Sequence, residues 1–153
     1  LNPTISVEAV SSNVTEENAA ELVSKADVIV GAAPLFKERL LLNREAVRQG
    51  KVLVEAAMYD TFANVTTIIP GKTPCLACMV PEDPPAWKRE FPVFGATSGT
   101  VACIAALEAI KVLGGFGKLL AGDLLVIDLA NLTFRKMAIR RNPTCPVCSH
   151  LWA

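Results

Sequence analysis

The sequence carries no surplus of charge: 15 Lys and Arg stand against 15 Asp and Glu over 153 residues. A neutral chain has no electrostatic footprint for nucleic-acid phosphates or an anionic bilayer, so neither partner is expected. No apolar run approaches the roughly 18 residues that a membrane span needs, and none of the opening residues reads as a signal peptide. A Gly-x-Gly-x-x-Gly loop after a strand is also missing. The stretch Gly114-Gly115-Phe116-Gly117 follows a predicted helix instead and reads as its cap and turn. Internal repeats, low-complexity tracts and a dividing linker are all absent. Residues 1–153 therefore read as one domain, long enough to bury a sizeable core. An initial Met is lacking too: Leu1-Asn2-Pro3 reads as the middle of something rather than its start.

What is present is cysteine in a pattern. Cys75-Leu76-Ala77-Cys78 and Cys145-Pro146-Val147-Cys148 form two Cys-x-x-Cys units. Two intervening residues let a tight turn aim both sulfurs at one ion, and two units supply four thiolates for a tetrahedral zinc. With Cys at all four positions no coordination site is left for a substrate water, so the zinc would be structural. Two redox-active dithiols, or a coincidence of buried thiols, are the competing readings. The gap between the units exceeds that of a compact zinc ribbon, so a folded domain must bring them together. Cys103, between Ala102 and Ile104, reads as a buried thiol in an apolar helix. Thiols in this number suit a reducing cytoplasm better than an extracellular disulfide framework.

In chain order, Thr4–Ala9 is predicted as a strand with Ile5, Val7 and Ala9 on one face. Thr15 is predicted to cap a helix running to about Lys25. Asp27–Ala32 and Val52–Ala56 are short apolar runs of the parallel-sheet kind, with a helix between Pro34 and Gly50. This alternation signals a doubly wound α/β sheet. Asn64–Ile69 follows too closely for a crossover and is expected antiparallel. Pro81, Pro84, Pro85 and Pro92 mark an exposed irregular loop, with Trp87 and Phe91 as its contact residues. A strongly apolar helix over Ser98–Leu113 follows. Leu124–Leu129 and Leu132–Ile139 then read as two strands, the second alternating inward and outward. Asp60 reads as a turn carboxylate, and His150 as a tail residue beside an already complete ligand set.

The order of these motifs resembles the ThiF/MoeB/HesA family, bacterial relatives of the ubiquitin-activating enzymes. The resemblance rests on Asp27-Val28-Ile29-Val30, Arg39 through Asn43, Pro70 through Cys78, Glu108-Ala109-Ile110-Lys111-Val112-Leu113, Thr133-Phe134-Arg135 and Arg140 through Cys148. It covers almost the whole chain but matches only the C-terminal part of a full member. It implies a Rossmann-like mixed sheet with flanking helices, a four-Cys zinc and a homodimer. The implied chemistry uses ATP and magnesium to adenylate the C-terminus of a ubiquitin-like sulfur carrier protein. Adenylation gives a poor acyl donor a leaving group, and a metal or cations must offset the developing phosphate charge. Arg39 and Asn43 match pattern positions near the nucleotide, although each could equally be a solvated or capping residue.

Three departures limit what carries over. The nucleotide loop lies upstream of the matching part. The family's Asp-Ala-Thr-Asp-Asn stretch is here Gly31-Ala32-Ala33-Pro34-Leu35, with both acids gone, and proline cannot hold magnesium. The loop over Pro81–Gly95 has no Cys, with Lys88 near its place. No catalytic residue is assigned. The expectation is a fragment or degenerate member, inactive by itself, with a non-catalytic zinc-stabilised binding or dimerisation module as the alternative.

Overall fold

A computed structural model of the chain describes residues 2–85 and 90–152. Its first element is the short helix α1, Ala19–Ser24, which begins four residues after the predicted cap. Thr15 still organises the entry, because its N–H donates to Asn18 Oδ1 at 2.8 Å and its carbonyl accepts from Ala19. The apolar runs Val28–Gly31 (β1) and Val52–Tyr59 (β2) flank the helix Phe36–Arg48 (α2). They pair in parallel from Val28↔Val52 to Gly31↔Glu55. A parallel pair needs a long crossover, and α2 supplies it.

β2 turns at Asp60, a non-glycine residue at φ 57, into Phe62–Ile68 (β3), which runs antiparallel as expected. After the four-residue helix Leu76–Met79 (α3) and the proline-rich loop comes the long helix Gly95–Gly114 (α4). It ends where Gly115 takes the left-handed conformation and its N–H caps Lys111 O, so the Gly114-Gly115 stretch is a cap and turn. Asp123–Asp128 (β4) and Thr133–Ala138 (β5) complete a five-stranded mixed sheet in the order β1-β2-β3-β4-β5. One face carries α2, α3 and a core of Val23, Leu53, Ile68, Leu76 and the paired cysteines. The other carries α4 over Val54, Val65, Val101, Ala105 and Ile127.

Four expectations are corrected. Thr4–Ala9 is not a strand, and Val7 is 79% exposed. An extended segment with no neighbouring strand leaves its backbone groups to water, and its alternating pattern then specifies nothing. The doubly wound pattern thus reduces to one parallel pair. β5 does not alternate inward and outward, since all six residues are exposed on the last strand of the sheet, beyond α4's contacts with β1, β2 and β3. Cys103 is exposed, because the inward face of α4 is set by Thr97, Val101, Ala105 and Glu108. Finally, α4 is by length and composition apolar enough to cross a membrane. Its aliphatic residues are interrupted by Glu108 and Lys111, and in this fold it packs along the sheet.

Candidate metal centre and strand-end cavity

β3 leads through the turn at Pro70–Thr73 into Cys75, whose neighbour Leu76 opens α3. The second unit arrives from the opposite end of the chain. Cys75, Cys145 and Cys148 are buried and Cys78 half-buried, and all four sulfurs lie within 4.8 Å of one another. Cys75 Sγ is 3.7 Å from Cys145 Sγ, and Cys78 Sγ is 3.5 Å from Cys148 Sγ. Sulfurs at the corners of a tetrahedron with ligand bonds near 2.3 Å stand about 3.8 Å apart. The cluster therefore fits a metal ion, and all five cysteines are free of disulfides.

The surroundings act on the thiols unequally. Burial pushes the Cys75 thiol up, but the Asn43 amide pulls the other way. That amide nitrogen is sealed in with no other hydrogen-bond partner, so a thiolate at Cys75 is the acceptor it lacks. Burial likewise raises the Cys78 thiol. At Cys145 burial is outweighed by the N–H groups of Cys148 and Val147, and its thiol falls below the usual range. Asn43 Oδ1 also accepts from Leu76 N at 2.9 Å, so α2 fixes the start of α3. His150 is exposed in the closing 3₁₀ turn Ser149–Trp152.

Arg39 lies one helical turn before Asn43 on α2, and both side chains turn inward. Its Nε donates to Ala33 O at 2.6 Å and its Nη1 to Ala56 O at 3.1 Å. Nη1 also meets Glu55 Oε1 in a buried ion pair. Arg39 thus ties the β1–α2 turn to β2. Burial drives the Glu55 carboxyl up to about 7 against the pull of Arg39. The other carboxylate oxygen, Oε2, is sealed in without a partner. Gly31 makes room for it: a Cβ there would come closer than 3.0 Å to Oε2 and within 3.2 Å of Leu53. Nothing in the sequence pattern pointed to Glu55.

At the C-terminal ends of β1 and β2 lies a cavity of about 390 Å³. Its walls include Ala32, Pro34, Ala56, Ala57 and Met58 from the sheet side, Phe91 and Val93 from the loop, and Ser98, Val101 and Ala105 from α4. Arg39 is its one charged lining residue among those described. Phe91 stacks on Tyr59 with ring centroids 6.2 Å apart, and Asp60 N donates to Pro92 O at 3.0 Å, which fastens the loop over the cavity. Trp87 and Lys88 lie outside the described residues.

The ThiF family model matches residues 1–147. The chain is 49% identical over 150 residues to Protein HesA of Leptolyngbya boryana, covering 98% of this chain and 54% of that protein. It is 41% identical to the sulfur carrier protein adenylyltransferase of Thermus thermophilus, covering 97% of this chain and 58% of that protein. The SAMP-activating enzyme E1 of Haloferax volcanii matches at 41%, covering 97% and 56%. The chain thus spans a little over half the length of these relatives. Among solved structures, E. coli MccB with ATP superposes with a TM-score of 0.76 at 22% identity, over 96% of this chain and 46% of that one. That likeness is one of fold.

Proposed function

The chain belongs to the ThiF family, and from that premise we propose that it forms part of an enzyme that adenylates the C-terminus of a ubiquitin-like sulfur carrier. The observation that carries this reading is the cavity at the C-terminal ends of the parallel strands, where open α/β sheets bind ligands. The sulfur carrier adenylyltransferase and the SAMP-activating enzyme among its relatives agree with it. In this reading the chain contributes the carrier-facing wall and, through Cys75, Cys78, Cys145 and Cys148, a structural zinc. Zinc suits four thiolates and leaves no position for a reacting water. Free thiols in this number are compatible with a reducing cytoplasm, which this reading adopts.

Magnesium does not fit the residues present. It takes oxygen ligands, usually from one or two carboxylates, and no carboxylate lines the cavity among the described residues. No step is therefore assigned to it. With Gly31 and Pro34 in place of acids and Arg39 as the one cation lining the cavity among the described residues, in this reading the chain alone does not activate a triphosphate. Pyrophosphate exchange tests this directly. The chain alone, given ATP and a carrier ending in glycine, is expected to show no exchange, while the full-length gene product shows it. Exchange by the chain alone would overturn the inactivity; none by the full-length product would remove adenylation.

A second reading rests on α4. Its outward side exposes Leu107, Ile110 and Leu113, continued by Phe116 and by Phe94 at the other end. An apolar stripe of this length marks an interface, and the partner we propose is a second copy. Sedimentation is expected to give a dimer that Ile110→Glu with Leu113→Glu dissociates. A monomeric parent chain would end this reading. If the dimer forms but the full-length product lacks exchange, a non-catalytic dimerisation module becomes the better description.

A further inference from the structure

Two cavities meet at Arg39. The larger lies at the strand ends; the smaller, of about 170 Å³, lies on the α2 face of the sheet and is lined by Glu55, Asn64 and Thr66 among apolar residues. Arg39 lines both. Its Nε and Nη1 are spent on Ala33 O, Ala56 O and Glu55 Oε1. Nη2 makes no hydrogen bond among the described residues, and it is not among the sealed, unpartnered atoms. A guanidinium with two donors to spare, at the wall of a cavity with no other charged lining among the described residues, is a receptor for a planar or tetrahedral oxyanion.

We propose that Arg39 Nη2 receives a small oxyanion in the larger cavity, and that Glu55 takes up one proton when it does. The charge count requires the second half. An oxyanion at Nη2 leaves one guanidinium between two anions, a net negative charge in a region where uncompensated charge is costly. Neutralising Glu55 restores balance: a proton from solvent bonds to a carboxylate oxygen, the ion pair becomes a hydrogen bond from the still-cationic guanidinium to a neutral carboxyl, and the guanidinium's charge is left to balance the incoming anion. The groups facing Glu55 are Gly31 from β1, Arg39 from α2, Asn64 and Thr66 from β3, Leu76 and Met79 from α3, and Leu124 from β4. Arg39 is the one charged group among them. Burial has already brought the carboxyl up to about 7, so the uptake falls at neutral pH.

This rests on reading the larger cavity as the substrate cavity. The oxyanion is then either the carboxylate end of a protein tail or a phosphate of a nucleotide. Two probes that stay monoanionic from pH 6 to 9 separate these sources: N-acetylglycylglycine for the carboxylate and dimethyl phosphate for the phosphate. Calorimetry of either probe against the intact chain is expected to show affinity falling about tenfold per pH unit above about 7. Paired buffers of different ionisation heat should report one proton taken up per anion. Glu55→Gln should remove the slope, and Arg39→Met should remove binding. A slope with only one probe supports the proposal and names the source. Affinity equal at pH 6 and 9, a slope that persists in Glu55→Gln, or no binding of either probe would overturn it. The readout is independent of pyrophosphate exchange, so the two readings fail separately.

Discussion

Stripping the metal from the four-Cys cluster is expected to lower the melting temperature by about 10–20 °C, corresponding to about 5 kcal/mol in a domain of this size. The ligand pairs lie 70 residues apart in the chain, so the ion closes a long loop as well as satisfying four buried thiols. Cys75, Cys145 and Cys148 belong to the same core as Leu53, Ile68 and Leu76, with Val147, Leu151 and Trp152 packed against it. The C-terminal segment enters that core through the cluster, β5 before it being exposed along its length, and Arg141 lies over the Trp152 ring at 4.5 Å within the segment itself. Net stabilities of about 5–15 kcal/mol leave little after such a loss. Circular-dichroism melts with and without a strong chelator measure it, and Cys148→Ser should move the melt the same way. Elemental analysis should find one zinc per chain. An unchanged melt in a chain shown to be metal-free would overturn the structural role, and four thiols titrating freely in the untreated protein would revive the redox reading.

Glu108→Ala is expected to destabilise the chain by about 3–5 kcal/mol. Glu108 sits in the middle of α4, 2% exposed. It accepts from Thr67 Oγ1 at 2.5 Å and from Leu120 N at 2.8 Å, and it pairs with Lys111. One carboxylate therefore holds α4, β3 and the segment before β4 together, and Thr67 N also donates to Leu120 O at 3.1 Å. Truncation leaves the buried Thr67 hydroxyl without its acceptor and the Leu120 N–H without its side-chain acceptor, and leaves the Lys111 ammonium with Lys118 O alone. Burial raises the Glu108 carboxyl, but Leu120 N–H, Lys111 and Thr67 together hold it below its ordinary value. Its folded value is thus the lower one. The stability it contributes is full above the ordinary carboxyl range near 4.5 and is lost as pH falls through the folded value. Denaturant melts should show the mutant's deficit at pH 7 shrinking on acidification below about 4.5. A deficit independent of pH would assign the effect to packing alone.

The helices and strands with strong local signals were legible. α2, β2, β3 and α4 stand where apolar periodicity, β-branched runs and the terminal glycine placed them, within the few residues by which ends vary. The Thr4–Ala9 alternation misled because a strand is a relation between segments, and among the described residues no strand pairs with it. Cys103 misled because apolar residues surround α4 on all sides in sequence, so its buried face is decided by the sheet it lies on. Arg39 and Asn43 were noticed for their pattern, but polar residues on a helix read as solvated until something polar is found opposite them. Glu55 carried no signal at all in an otherwise apolar strand.

The sequence by itself determined the chemistry that local spacing controls: two pairs of thiols each able to turn toward one ion, the parallel crossover around α2, the end of α4 at Gly115, and the absence of acids at positions 31 and 34. Only the tertiary structure decided which groups meet. It brings residue 75 to 145, Glu108 to Thr67 and Leu120, and Glu55 to Arg39 over the space that Gly31 leaves open. Spacing along a chain is fixed by covalent geometry and local dihedrals. The partner of a buried charge depends on which long-range surfaces dock, and that follows from the packing of the whole core.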